Sequence, residues 1–292
     1  MDMPHPAGQA PALDDIAHYR REGWLLLRGL LGPRHVAASL DALAGLATGR
    51  IPARQTTLMW ENGPPPEGTP AEERELRIRK YMDFCEDAPA LRDAAMSTRL
   101  HATLDRILGE GRTLFQEMAL VKPPFIGGEK PWHQDCSYFR ITDPSLVAGV
   151  WIALDEATRE NGCMELLSGS HLWGPQPHHH ENDFNRCRIR EELLKPEDRI
   201  AIEMQPGDAL IFSGLLQHYT APNRSGLRRR AIQFHYHQVG AVWGSLEDHR
   251  RHFHDADGGY AGCTVAHAHL PGGNYAYRDG LPRAIVPVDT SA

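Results

Sequence analysis

Apolar and polar residues follow one rhythm up to about residue 112 and a different one beyond it. In the first stretch, Leu13, Ile16, Ala17, Tyr19 and Arg20 recur at helical spacing, which predicts a short amphipathic helix over 13–22 that Gly23 stops. Trp24-Leu25-Leu26-Leu27-Arg28 reads as a buried strand. A second helix is expected over 33–47, with Pro33 preset for its first turn. The Gly/Pro-rich segment 62–70 is a loop, and 89–109 is helical up to Gly109-Glu110-Gly111. After 112 the apolar runs shorten and turn residues punctuate them. Strands are expected over 114–122, 131–139, 147–155, 163–167, 200–204, 208–213 and 229–239. Pro123-Pro124, Gly127-Gly128 and Pro206-Gly207-Asp208 supply turns between them. The fold class this implies is mainly β with flanking helices, built on a double-stranded β-helix of the jelly-roll or cupin-like kind. Residues 1–12 are expected to be disordered, with one domain over 13–292. It divides into a mostly helical flank (13–111), the jelly-roll core (112–240) and a C-terminal extension (241–292). A polar, His-rich, partly helical insertion over 173–199 interrupts the core.

Composition changes this picture little but removes several function classes. The chain has 292 residues and a formal net charge of −7, with no long basic block, so neither nucleic acid nor an anionic membrane is an expected partner. No apolar run approaches the roughly 18 residues a membrane span needs. The N-terminal Met1-Asp2-Met3-Pro4-His5-Pro6 lacks the basic and apolar regions of a secretory signal. Five cysteines, odd in number and without a Cys-x-x-Cys pair, point to reduced thiols and a cytoplasmic setting. The oligomeric state is left open.

Chemistry concentrates at Pro131-Trp132-His133-Gln134-Asp135. In an extended segment, residues two apart project to the same side, so His133 and Asp135 form a histidine–carboxylate pair. With one more histidine from a distant strand they make the 2-His-1-carboxylate triad that holds non-heme Fe(II) with three positions open. His218, just past the apolar run Ala209–Phe212, is the candidate; a surface-turn histidine is the competing reading. Arg229 precedes the apolar Ala231-Ile232-Gln233-Phe234. Either it belongs to a solvated charge run, or it is buried and needs a carboxylate partner, for which its planar fork is suited. Thr220 could add a hydroxyl to the same carboxylate. His178-His179-His180 reads as a solvated loop, Cys136 as core packing, and His267 and His269 as structural.

Several ordered motifs together resemble the phytanoyl-CoA dioxygenase family of Fe(II)/2-oxoglutarate-dependent oxygenases. They are Tyr19–Leu27, Val121-Lys122-Pro123-Pro124, Trp132-His133-Gln134-Asp135 with Tyr138-Phe139, Val150–Leu154, Asn161–Glu165, Ser168-Gly169-Ser170-His171, Pro206-Gly207-Asp208, His218, Pro222–Ser225 and Arg229-Arg230-Ala231. The likeness runs from about residue 14 to 240. It implies His133, Asp135 and His218 as iron ligands, with Arg229 and Thr220 on the distal carboxylate of 2-oxoglutarate. Trp151 would line the cosubstrate pocket or serve simply as core. Lys80 would contact 2-oxoglutarate or stand exposed, and Gln116 would bond the cosubstrate or satisfy buried backbone. The implied activity consumes 2-oxoglutarate and O2, yields succinate and CO2, and hydroxylates or otherwise oxidises a C–H bond of a small molecule. The carboxylate of Asp135 leaves no room for halide, so halogenation is not expected. Tyr138, Phe139 and Trp60 are the candidate substrate contacts. The substrate is expected to be a natural-product intermediate, an amino-acid derivative or an acyl thioester. Competing readings are a cupin-like metal-dependent hydrolase or isomerase, and a non-catalytic jelly-roll binding protein.

Overall fold

The computed structural model describes residues 13–61, 63–180 and 187–253. In chain order, the elements are α1 (Leu13–Glu22), β1 (Trp24–Leu27), α2 (Pro33–Thr48), β2 (Thr57–Trp60), α3 (Ala71–Glu75), β3 (Ile78–Met82), α4 (Pro89–Ala95), α5 (Thr98–Leu108) and β4 (Thr113–Lys122). The core continues with β5 (Lys130–His133), β6 (Val147–Ala153), β7 (Met164–Leu166), β8 (His178–His180), β9 (Cys187–Ile189), β10 (Ile200–Ile202), β11 (Ala209–Ser213), β12 (His218–Thr220), β13 (Arg229–His237) and α6 (Leu246–Phe253). A seven-stranded sheet in the order β1-β11-β6-β13-β4-β3-β2 faces a four-stranded sheet, β10-β7-β12-β5. All the pairings are antiparallel.

The larger sheet separates two kinds of interior by simple alternation. On its outer side Val150, Ile152, Ile211, Ile232, Phe234, Ala119 and Val121 pack with Leu43, Leu46, Leu91, Leu100 and Leu104 of the helices, forming the main core. On its inner side Trp151, Ala153, Leu210, Phe212 and Ala231 meet Met164 and Leu166 of the smaller sheet. Gly149 keeps this inner layer close-packed, since a Cβ there would lie 2.5 Å from the Phe212 ring.

Several expectations are corrected. The flank over 13–111 is not only helical: β2 and β3 extend the large sheet beyond β4, and β1 closes its other edge. Polar residues at 79 and 80 hide β3 from a hydrophobic-pattern reading. The helix expected over 89–109 is two helices, because the Ser97 side chain accepts from the Leu100 amide and starts α5 afresh. The strand expected over 131–139 ends at His133. Gln134 stays extended (φ −114°, ψ 132°) and a 3-10 turn follows over Asp135–Tyr138. The insertion contains a β8–β9 hairpin, and His178 is buried rather than solvated, accepting from the Gln134 amide at 2.9 Å. Among the described residues Cys85, Cys136 and Cys163 are free and buried, and Cys263 lies outside them. His267 and His269 lie outside the described residues. Among the described residues no helix is long and apolar enough to cross a membrane.

Candidate functional site

A cavity of ≈ 120 Å³ lies between the two sheets. Most of its lining comes from the inward faces of β3, β4, β5, β12 and β13. His133 ends β5 and His218 opens β12, and the two residues are direct partners in the antiparallel ladder. Their rings lie 4.1 Å apart between centroids. Asp135 enters from the turn just beyond β5. Its Oδ1 is 3.2 Å from His133 Nε2 and 3.6 Å from His218 Nε2. One donor atom from each of the three residues falls within 4.8 Å of the others, close enough to share one ion. All three are buried.

The backbone sets the state of both imidazoles. His133 Nδ1 pairs with the Pro131 carbonyl at 2.8 Å, and His218 Nδ1 with the Leu216 carbonyl at 2.9 Å. A carbonyl only accepts, so each Nδ1 carries the proton and each Nε2 turns a lone pair inward. Burial, then the neighbouring His218 and Lys130, push His133 well below the ordinary histidine value, and burial likewise lowers His218. Burial would raise the Asp135 carboxyl, but the surrounding imidazoles hold it well below the usual carboxylate range. Two neutral nitrogens and one ionised oxygen are the donor set a divalent iron takes.

Arg229 begins β13, pairs with Lys122 of β4 and is only 2% exposed. Its guanidinium donates to the Leu120 carbonyl at 3.2 Å and lies over the Trp151 ring at 5.3 Å. Among the described residues no carboxylate comes within ion-pairing distance, and its Nε has no hydrogen-bond partner. Burial has pulled it down to about 10. A buried cation without a counter-charge fits an incoming carboxylate, which is the test that a 2-oxoglutarate site must pass here. Thr220, Trp151, Lys80 and Gln116 line the same cavity. Lys80 is half-buried, its exposed part turned to the cavity, and burial with Arg79 nearby brings its ammonium down to about 8.

The β12–β5 ladder has an irregularity that decides what else faces the metal triad. His218 partners His133 and Thr220 partners Lys130, so three residues of β12 lie opposite four of β5. A bulge of this kind reverses the alternation, and Lys130 turns inward on the same side as His133. Its ammonium donates to the Tyr138 hydroxyl, and Tyr138 stands edge-on to His133 with centroids 6.1 Å apart. Tyr138 and Phe139 both line the cavity. Trp60 does not: it partners Ile78, packs against the outer core and carries Arg74 over its ring, while its neighbours Met59 and Glu61 reach the cavity. Leu58 and Trp60 share the outer side and Met59 and Glu61 the inner one, as ordinary strand alternation requires.

Sequence reasoning missed Gln233, His235 and Gln134. Gln233 Nε2 and His235 Nε2 lie 2.9 and 2.8 Å from Asp135 Oδ2. Their signal was available as polar residues at even spacing after Arg229, on the inward face of an otherwise apolar strand. Gln134, wholly buried, donates to the Gly174 and Leu215 carbonyls and accepts from the Gln176 amide. It thereby ties the insertion to both metal-binding segments. Asn223 of the Pro-Asn-Arg-Ser stretch donates to the carbonyls of Lys122, Pro123 and Leu227, fixing the β12–β13 loop ahead of Arg229.

Comparison with known proteins gives one concordant result. The family model described as phytanoyl-CoA dioxygenase (PhyH) matches residues 19–231. "Phytanoyl-CoA dioxygenase 1" of Oryza sativa subsp. japonica is 28% identical over 180 residues, which is 58% of this chain and 60% of the rice protein. The chain thus spans less than two thirds of that relative. Among solved structures, EvdO2 from Micromonospora carbonacea var. aurantiaca complexed with 2-oxoglutarate superposes with a TM-score of 0.63 at 24% identity, covering 81% of this chain and 95% of that one. EctD from S. alaskensis with 2-oxoglutarate and 5-hydroxyectoine gives 0.63 at 20% identity, covering 82% and 81%. At these identities the two structures establish the shared fold.

Proposed function

The chain belongs to the phytanoyl-CoA dioxygenase family, and from that premise we propose that it is an Fe(II)- and 2-oxoglutarate-dependent dioxygenase that hydroxylates or otherwise oxidises a small organic molecule. The observation that carries this reading is a buried, carboxylate-free Arg229 in the same cavity as a His133–Asp135–His218 triad. A hydrolase or isomerase using the same three ligands would have no use for that guanidinium, and a binding protein would need no such triad.

In this reading His133, Asp135 and His218 hold the iron. Arg229 and Thr220 receive the far carboxylate of 2-oxoglutarate, with Trp151, Lys80 and Gln116 along its length. Iron, 2-oxoglutarate and O2 supply the oxidising power when bound, and succinate and CO2 leave. The protein contributes position and dryness. Nδ1–H bonds to backbone keep both histidines neutral and aimed, the double hold on Oδ2 keeps Asp135 in place, and the apolar layer of Trp151, Phe212 and Met164 excludes water.

The substrate's place is taken to be the side lined by Lys130, Tyr138, Phe139, Arg79 and Met59. Five cations line the cavity (Arg79, Lys80, Lys122, Lys130, Arg229) against the carboxylates of Glu61 and Asp135. A dianionic cosubstrate balances the iron and leaves this excess, which favours a substrate with an acidic group. Amino-acid derivatives and natural-product intermediates that keep a carboxylate meet that condition, and an acyl thioester meets it through the phosphates of its carrier. A cytoplasmic setting is part of the proposal, supported by the free, buried thiols of Cys85, Cys136 and Cys163.

The test is anaerobic reconstitution with Fe(II) and 2-oxoglutarate, following the visible charge-transfer band of the chelate in wild type and His218→Ala. A band that the variant loses is expected. Iron bound without a band removes 2-oxoglutarate from the mechanism and brings the hydrolase or isomerase forward. Succinate release is then screened on matched acids and amides, with acids expected to be preferred and the preference reduced in Lys130→Met.

A further inference from the structure

Asp135 offers two oxygens, and the structure treats them differently. Oδ1 faces His133 Nε2 and His218 Nε2. Oδ2 faces the opposite way, toward Gln233 Nε2 at 2.9 Å and His235 Nε2 at 2.8 Å. Both of these residues are almost fully buried, at 3% and 1% exposed. They project from the same face of β13, which holds them through pairings with β4 and β6 on either side. The His235 ring is further fixed by Phe139 (centroids 4.9 Å apart) and Phe115 (6.0 Å). Phe139 therefore does more than line the cavity, because it sets the angle of the imidazole that grips the aspartate.

We propose that Gln233 and His235 are positioning residues that make Asp135 a one-oxygen ligand. The inference rests on the iron reading above. A free carboxylate can swing about its Cβ–Cγ bond and chelate a metal through both oxygens. Two donors on Oδ2 fix the carboxylate plane and occupy that oxygen, so an ion bound to the two histidines meets Oδ1 alone. The consequence is a count of coordination positions. Six minus three leaves room for a bidentate cosubstrate and O2, whereas a bidentate aspartate would remove one of those positions. Arg229 lies four residues before Gln233 on the same inward face, so one strand sets both the cosubstrate's far end and the aspartate's orientation.

The experiment uses Co(II), whose d–d absorption intensity reports coordination number, titrated into the metal-free full-length protein without 2-oxoglutarate. Wild type, Gln233→Leu, His235→Phe and His235→Gln are compared, each checked by circular dichroism and thermal melting. Loss of the donors is expected to weaken Co(II) about 10- to 100-fold and to alter the d–d spectrum. His235→Gln, which keeps an N–H donor, should restore the wild-type spectrum and most of the affinity. If folded Gln233→Leu and His235→Phe both bind Co(II) with wild-type affinity and spectrum, the inference is overturned. So it is if His235→Gln behaves like His235→Phe, since a packing role, not donation, would then explain the residue. Failure of wild type to bind Co(II) or Fe(II) would sink the dioxygenase reading itself. Metal binding without a 2-oxoglutarate band would remove the cosubstrate and leave the Oδ2 comparison readable.

Discussion

Replacing Arg229 with methionine should change stability and cosubstrate affinity in opposite directions. In the free protein the guanidinium is 2% exposed, has no carboxylate partner and makes one hydrogen bond, to the Leu120 carbonyl. Burial has brought it from 12.5 to about 10, a difference equivalent to roughly 3 kcal/mol against the charged form at neutral pH. The sign follows from the direction: a base whose folded value is depressed destabilises the fold wherever it is still charged, which here means at every pH below about 10. Methionine has similar length and no charge to desolvate. Its introduction relieves that penalty and forfeits a hydrogen bond worth about 1 kcal/mol, so the metal-free protein should gain on the order of 2 kcal/mol. That corresponds to a melting temperature higher by roughly 4–8 °C. Affinity for 2-oxoglutarate moves the other way. Removing one partner of a buried charged pair costs about 2–5 kcal/mol, or roughly 30- to 4,000-fold in Kd at 1.4 kcal/mol per decade. Differential scanning fluorimetry of the metal-free protein and anaerobic titration of 2-oxoglutarate into the Fe(II) form measure the two effects. A variant that melts lower and still binds 2-oxoglutarate within threefold of wild type would refute the assignment, because Arg229 would then be a structural cation with a partner of its own.

Three further outcomes follow from the same geometry. The metal-free protein should lose stability as pH falls below 6.5, because the unfolded chain takes up protons there that buried His133 and His218 refuse; urea unfolding should give a ΔG about 2–3 kcal/mol lower at pH 5.5 than at pH 7.5, and a flat profile would contradict the buried, neutral pair. Gln134→Leu strands the buried Leu215 carbonyl and releases the part-buried Gly174 carbonyl and Gln176 amide, so it should cost about 1–3 kcal/mol and open the segment around Gly174–Gln176 to limited proteolysis. Gly149→Ala drives a methyl group into the Phe212 ring, which itself lies 5.0 Å from the His218 ring. It should cost about 1–3 kcal/mol and weaken metal binding, as urea unfolding and Co(II) titration would show.

The His133–Asp135–His218 cluster and the inward Arg229 were legible because each sits in a local motif whose residue types have few other uses together. The jelly roll was legible for a related reason, since β6, β11 and β13 each carry an outer apolar set alternating with an inner one. What escaped was set by long-range geometry. Gln233 and His235 act on a carboxylate 98 and 100 residues away, and no window of the sequence contains both ends of that interaction. β3 escaped because Arg79 and Lys80 break its apolar pattern, yet Lys80 is where the strand turns a charge toward the cavity. Trp60 falls on the outer side of β2 with Leu58, whereas Met59 and Glu61 face the cavity, an alternation whose phase the polar surroundings of the segment do not reveal. The His178 side chain read as solvated from composition, and its burial depends on the Gln134 amide 44 residues earlier.

The extra residue in β5 has a consequence for how this protein can diversify. His133 is held in register by His218 on one side of the bulge, and Lys130 by Thr220 on the other. Exchanging the side chain at 130 therefore leaves the ladder, and with it the His133–Asp135–His218 geometry, unmoved. Deleting one of the two residues between them would remove the bulge and leave position 130 two residues from His133, still on the chamber side by strict alternation. The side chain at 130 and the His133–Asp135–His218 cluster are thus separable by mutation over three consecutive peptide bonds, so that a lineage can retune what faces the chamber by point substitution without first disturbing that cluster.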